Sequence, residues 1–176
     1  MNPPHLRLFF ALPCPPQPAA QIVFWRDSLG IKGQPVAPAD LHVTLAFLGQ
    51  QPQDRLPLLE QIAARLQAIR FQVQFDQLQL WHSGLLVLAS SQPPEALLHL
   101  QRELQRHLLD AGLPVESRPF RPHLTLLRRS HAVACPAPAP FTWTADEWGL
   151  FASESGSVSP RYRLLKGWPL LPQNGA

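Results

Sequence analysis

A short apolar run broken by one imidazole and one hydroxyl occurs twice, as Leu41-His42-Val43-Thr44-Leu45 and as Pro122-His123-Leu124-Thr125-Leu126. In a strand, residues two apart share a face, so each copy sends a histidine and a threonine one way and aliphatic side chains the other. The chain has four threonines and seven histidines, and composition alone rarely yields two such matches. A fold that accommodates this sequence needs two half-buried strands with the same polar chemistry on their open faces.

The surroundings of the two runs also repeat. Residues 6–12 form a largely apolar strand pattern; Ala19, Ile22, Val23 and Leu29 then keep a helical period up to Gly30, and residues 30–40 form a loop leading to the first run. Residues 85–89 again suggest a strand, Leu97, Leu100, Leu104 and Leu108 a helix ending near Gly112, and a proline-containing connector leads to the second run. Leu6 lies 36 residues before His42 and Leu85 lies 38 before His123. Equal order at nearly equal spacing predicts two related lobes, roughly residues 1–82 and 83–176 of a single domain, with exchange of terminal strands between lobes left open.

Between the halves, Leu56, Leu59, Ala63, Leu66 and Ile69 predict a helix, and Phe71, Val73 and Phe75 alternate as in a half-buried strand. Leu78 and Leu80 continue in the opposite phase, and residues 81–84 form a turn. After an Ala/Pro connector, residues 141–145, 147–153 and 162–168 predict further strands. The total is three helices and seven or eight strands, an α/β (α+β) chain with mainly antiparallel pairing. Most of the 21 prolines fall at segment ends, where a missing donor does no harm.

With 45% apolar residues the chain can bury a real core, and its formal charge of +3 is a mild excess that tolerates a polyanion without demanding one. Cys14 and Cys135 lie far apart, with neither metal spacing nor a disulfide framework, and predict reduced thiols in a cytoplasmic protein. The N-terminal apolar run stops at Pro13 without the pattern of a leader, no window is long enough to span a membrane, and no obligate protein partner is evident. Phosphate-binding glycine loops do not occur.

Two imidazoles can hold opposite protonation states near neutral pH. In-line displacement at phosphorus needs that division: one group takes a proton from the attacking oxygen, the other gives one to the leaving oxygen, and hydroxyls steady the nonbridging oxygens. This scheme needs no metal or cofactor.

The segments His42-Val43-Thr44-Leu45-Ala46-Phe47-Leu48-Gly49 and Phe120-Arg121-Pro122-His123-Leu124-Thr125-Leu126-Leu127-Arg128 resemble the two signature motifs of the 2H phosphoesterase superfamily. More closely, the chain resembles the bacterial RNA 2′,3′-cyclic phosphodiesterases, historically called 2′-5′ RNA ligases, over nearly its full length. The resemblance implies a bilobal duplicated fold with concave antiparallel sheets, flanked by helices, around a central cleft. It implies opening of a terminal RNA 2′,3′-cyclic phosphate to a 2′-phosphate, with reversible 2′-5′ ligation as a secondary activity, on RNA ends such as tRNA fragments or on small nucleotides. From the family, His42 with Thr44 and His123 with Thr125 form the catalytic pairs, His123 as proton acceptor and His42 as proton donor; local sequence does not distinguish the two histidines.

Four further residues are candidates for phosphate or RNA contact. Arg128 follows the second motif but has the wrong parity for its polar face, so it contributes only from a bend or bulge. Arg121 has the right parity and is either a ligand contact or a surface cation. Phe9 and Phe151, with Trp148 and Tyr162, either stack on a base or pack in the core or rim. His5, His82, His99, His107 and His131 lack a matched hydroxyl and are taken as structural or surface residues. Competing readings are a phosphodiesterase of small cyclic phosphates, a noncatalytic RNA-end binding module and, weaker, a histidine metalloenzyme.

Overall fold

The computed structural model describes residues 4–131, 140–156 and 160–173. The Ala/Pro connector with Cys135 lies outside them. The chain runs β1 (His5–Pro13), α1 (Pro16–Ser28), β2 (Gln34–Pro35), β3 (His42–Pro52), α2 (Leu56–Ala64), β4 (Phe71–Phe75), β5 (Gln77–Trp81), β6 (Leu85–Ala89), α3 (Glu95–Asp110), β7 (His123–Arg128), β8 (Phe141–Ala145), β9 (Glu147–Ser153) and β10 (Tyr162–Pro169). This is an α+β fold with two antiparallel four-stranded sheets flanked by helices, in the orders β10-β9-β1-β3 and β2-β7-β6-β5. A separate ribbon pairs β4 with β8.

Each motif strand pairs with the strand before the preceding helix, β3 with β1 and β7 with β6. The third strand of each sheet then comes from the other side of the sequence, β9 beside β1 and β5 beside β6. Two phase breaks mark the crossings. Asp76 separates β4, paired with β8, from β5, paired with β6, which explains why Leu78 and Leu80 change phase after Phe75. Asp146 separates β8 from β9 in the same way.

The helices follow their apolar stripes. Ala19, Ile22 and Arg26 are the buried positions of α1, and Leu97, Leu100, Leu104 and Leu108 those of α3. Helix α2 ends at Ala64, short of the predicted Ile69, because the chain beyond it pairs with the C-terminal segment: Leu171 N–H donates to the Ala68 carbonyl (2.8 Å), and Arg70 N–H to the Leu171 carbonyl (2.8 Å). Backbone groups satisfied by a neighbouring strand no longer need a helix. The ten strands exceed the expected seven or eight because β2, two residues long, carries no periodic signal, and because the pattern over residues 71–80 divides at Asp76 into β4 and β5.

One contiguous core holds Val43 and Leu45 of β3 together with Leu124 and Leu126 of β7. Burying the aliphatic faces of both motif strands in one core turns both His/Thr faces away from it. Among the described residues no helix is long and apolar enough to cross a membrane.

Candidate active site

His42 and Thr44 are half-buried between the buried Val43 and Leu45, and His123 and Thr125 repeat the pattern around Leu124 and Leu126. Each histidine is held by its own backbone. His42 Nδ1 lies 2.7 Å from the carbonyl of Asp40, and His123 Nδ1 lies 2.7 Å from the carbonyl of Arg121, two residues earlier in both cases. A carbonyl only accepts, so Nδ1 carries the hydrogen in both rings and Nε2 is left for chemistry. His42 Nε2 sits 3.1 Å from Thr44 Oγ1, whereas His123 Nε2 has no hydrogen-bond partner among the described residues.

Aromatic rings fix the imidazoles from the side. The His42 ring lies between Phe9 (centroids 5.0 Å apart) and Tyr162 (4.8 Å, edge-on). His123 lies 4.3 Å from the ring of Trp81, a residue that sequence reading placed only in a turn. Burial lowers the pKa of both histidines from the ordinary imidazole value. The hydrogen bond from Nδ1 opposes this in each; the charges of Arg128 and His123 push His42 further down, and that of Arg121 does so for His123.

A cavity of about 580 Å³ opens beside His42, lined also by Thr44, Phe9, Phe47, Arg128 and Tyr162. Arg128 reaches it by the irregularity its parity required. Val87 pairs with Thr125 but Leu86 pairs with Leu127, so Leu126 is an extra residue and the strand changes face after it. The same bulge occurs in the first motif: Ala11 pairs with Thr44 and Phe10 with Ala46, leaving Leu45 extra. Five residues beyond each histidine, Phe47 and Arg128 both turn to the cavity. Phe47 escaped the sequence reading, although the common offset of five was a usable signal.

The second bulge is secured from behind. The buried Arg26 of α1 donates from Nη1 to the carbonyls of Val36 (2.6 Å) and Leu126 (3.4 Å). A side chain on Gly33 would stand 2.9 Å from the Arg128 carbonyl, so the glycine lets the loop close on this strand. Arg128 then donates from Nη2 to the hydroxyl of Tyr162 (3.1 Å). Asp40 was also missed. Besides its carbonyl bond to His42, its buried carboxylate accepts the backbone N–H of Arg161 (2.8 Å) and Tyr162 (3.3 Å), which seats the residue packed on His42.

Of the remaining candidates only Phe9 borders the cavity. His123, Thr125 and Arg121 are not among the residues lining the cavity. The Arg121 guanidinium lies over the Trp81 ring (4.9 Å) and donates to Gln79 Oε1 (3.2 Å), so the observed link of Arg121 to His123 runs through its backbone carbonyl. Phe9 borders the cavity but is only 4% exposed, with Phe151 stacked on it at 5.5 Å and Tyr162 against its edge. Of the two alternatives left open for the aromatics, the structure shows packing contacts for Phe151, which lies on Phe9 and off the cavity lining, and for Trp148, 1% exposed in the core. Among the described residues, no group of three or more His, Cys, Asp or Glu is gathered so as to hold a metal ion.

Comparison with known proteins agrees with this geometry. The model of the 2′-5′ RNA ligase superfamily matches residues 14–157. The chain is 37% identical to an RNA 2′,3′-cyclic phosphodiesterase of Escherichia coli over 170 residues, covering 93% of this chain and 96% of the relative. It is 28% identical to an RNA 2′,3′-cyclic phosphodiesterase of Thermus thermophilus, covering 97% and 93%. The crystal structure of E. coli LigT complexed with 3′-AMP superposes with a TM-score of 0.88 at 35% identity, covering 95% of this chain and 99% of LigT. With both His-x-Thr pairs in place on equivalent bulged strands, the chain belongs to the 2′-5′ RNA ligase superfamily of 2H phosphoesterases and is a homologue of the bacterial RNA 2′,3′-cyclic phosphodiesterases.

Proposed function

We propose that this protein opens the terminal 2′,3′-cyclic phosphate of RNA to a 2′-phosphate, without a metal, by acid–base catalysis shared between His123 and His42. The observation that carries the proposal is the pair of backbone-locked imidazoles, each with Nδ1–H on a carbonyl two residues back, which leaves Nε2 for chemistry.

Water attacks phosphorus in line with the bond to O3′ while His123 Nε2 takes its proton. The P–O3′ bond breaks, and His42 Nε2–H gives its proton to O3′, leaving a 2′-phosphate and a 3′-hydroxyl. Solvent then resets both rings. Thr44, Thr125 and Arg128 donate to the nonbridging oxygens as charge builds on them. The Nε2 of His123, which has no hydrogen-bond partner among the described residues, supports its assignment as base, since an attacking water needs a free acceptor. Burial first and Arg128 in addition lower the pKa of His42, and a bound phosphate that offsets Arg128 moves it back up, the direction an acid requires. A ribose 5′-hydroxyl in place of water yields a 2′-5′ linkage, the ligation direction.

The scaffold is read here as a duplicated, two-lobed unit whose lobes face each other across a cleft. Support comes from the matching strand pairs β1/β3 and β6/β7, the identical bulges, and the mutual crossings of β5 and β9. The test is to incubate EDTA-treated protein with an oligonucleotide ending in a 2′,3′-cyclic phosphate and identify the product isomer. A 2′-phosphate is expected; a 3′-phosphate, or no turnover, overturns the proposal.

A further inference from the structure

Four arginines line the cavity, Arg7, Arg128, Arg129 and Arg161, and none of the lining residues is an acid. Six guanidinium groups elsewhere form ion pairs, among them Arg70 with Asp146, Arg102 with Glu95 and Arg163 with Glu154, whereas Arg55, Arg65 and Arg121 outside the cavity have none among the described residues, so it is the convergence of four on one acid-free cavity that is distinctive. Among the described residues no carboxylate forms an ion pair with any of the four. A cyclic phosphate is a diester with a single negative charge, which one or two guanidinium groups satisfy. The remaining cations call for further anionic charge on the same ligand.

Their placement says where that charge lies. Arg128 belongs to the reacting phosphate, since its Nη2 bonds the hydroxyl of Tyr162, whose ring lies against His42. Arg7 lies on β1 two residues before Phe9, the residue in contact with the His42 ring, and on the same face. It is thus about 7 Å further along the strand, a distance comparable to one nucleotide step. Arg7 pairs across the sheet with Ser153, and Ser153 pairs with Tyr162, so a row of cavity-lining groups crosses three strands, with Arg161 next to its end. The Arg7 guanidinium lies over the Phe47 ring at 5.0 Å, which holds that cation in place, and the Asp40 carboxylate pins the backbone from which the Arg161 side chain extends.

We propose that Arg7, Ser153 and Arg161 form a second phosphate subsite, which holds the internucleotide phosphodiester on the 5′ side of the reacting nucleotide. The preferred substrate is then RNA of at least two nucleotides, and a nucleoside cyclic phosphate is a poor one. This inference rests on the cyclic phosphodiesterase reading above.

The test compares kcat/KM for a nucleoside 2′,3′-cyclic phosphate, a dinucleotide with the same end, and that dinucleotide with its internal diester replaced by an uncharged methylphosphonate. The charged dinucleotide is expected to exceed both others by about tenfold or more, the usual effect of charge-assisted hydrogen bonds. In the double variant Arg7→Gln/Arg161→Gln, the ratio of charged to uncharged dinucleotide should fall to near one, chiefly through KM. Equal rates for the two dinucleotides with wild-type protein, or an undiminished ratio in the variant, overturn the subsite. If no substrate turns over, the cyclic phosphodiesterase reading fails by itself, and binding decides the subsite: the 2′-phosphorylated dinucleotide should bind at least about tenfold more tightly than its methylphosphonate counterpart. Equal binding rejects the subsite.

Discussion

Each motif histidine donates from Nδ1 to the carbonyl two residues before it, and that bond decides which ring nitrogen meets a ligand. A tautomer locked by backbone is independent of side chains that could rearrange during turnover. His42→Ala and His123→Ala should each lower kcat about 10²- to 10⁴-fold with the fold intact, measured by single-turnover kinetics beside circular dichroism. The pH dependence has a definite sign. Burial holds His123 below the ordinary imidazole pKa, so as the base it stays neutral to lower pH, and the acid limb of the profile lies below about 6.5. His42 as the acid must carry a proton, and activity is lost as pH rises through its own lowered value. Bound phosphate opposes the cations that depress it, so the alkaline limb of kcat should lie at higher pH than that of kcat/KM. Coincident limbs would argue against His42 as the acid. The histidine and threonine pairs were legible in the sequence because a period of two assigns faces without tertiary information. Asp40 and Trp81 were not, since their roles depend on residues distant in the chain: Asp40 holds residues 161 and 162, and Trp81 meets His123.

At the scale of elements, the two bulges convert a strand of period two into a site. Leu45 and Leu126 are each the extra residue, and each lets the side chain five positions after the histidine turn to the cavity. The parity of Arg128 showed from sequence that a bulge was required, but not where. Its location depends on the register with β6 and on Arg26, which donates to the carbonyl of Leu126 from another element. Arg26→Met should therefore cost about 2–4 kcal/mol, because buried carbonyls lose a charged donor, and should also raise KM as Arg128 loses its placement. Denaturant midpoint and steady-state kinetics check the two effects. A variant that is destabilised with unchanged KM would sever Arg26 from the bulge. The end of α2 likewise eluded the pattern: Leu66 and Ile69 keep a helical period, yet pairing with the C-terminal segment overrides it.

For the molecule as a whole, the same burial that tunes the histidines links folding to pH. A histidine whose folded pKa lies below its unfolded value binds fewer protons when folded, so stability is full above about 6.5 and falls as pH drops through that value toward the folded one. The carboxylates with lowered values, Asp76, Glu103 and Glu116, lose their contribution only below about pH 4, so the two windows separate. The melting temperature should fall between pH 7 and pH 5, and His42→Gln should flatten that slope; an unchanged slope would deny the linkage. Cys14 stays outside this window, since burial pushes its thiol up to about 12. The sequence by itself determined the α+β class, the strand–helix order and the four His/Thr side chains, because hydrophobic period and local spacing are properties of neighbours along the chain. Only the tertiary structure decided which strands cross between the two sheets, where the motif strands bulge, and which arginines converge on one cavity. Those depend on pairing register and on hydrogen-bond partners a hundred residues apart or more, and short-range patterns carry no record of them.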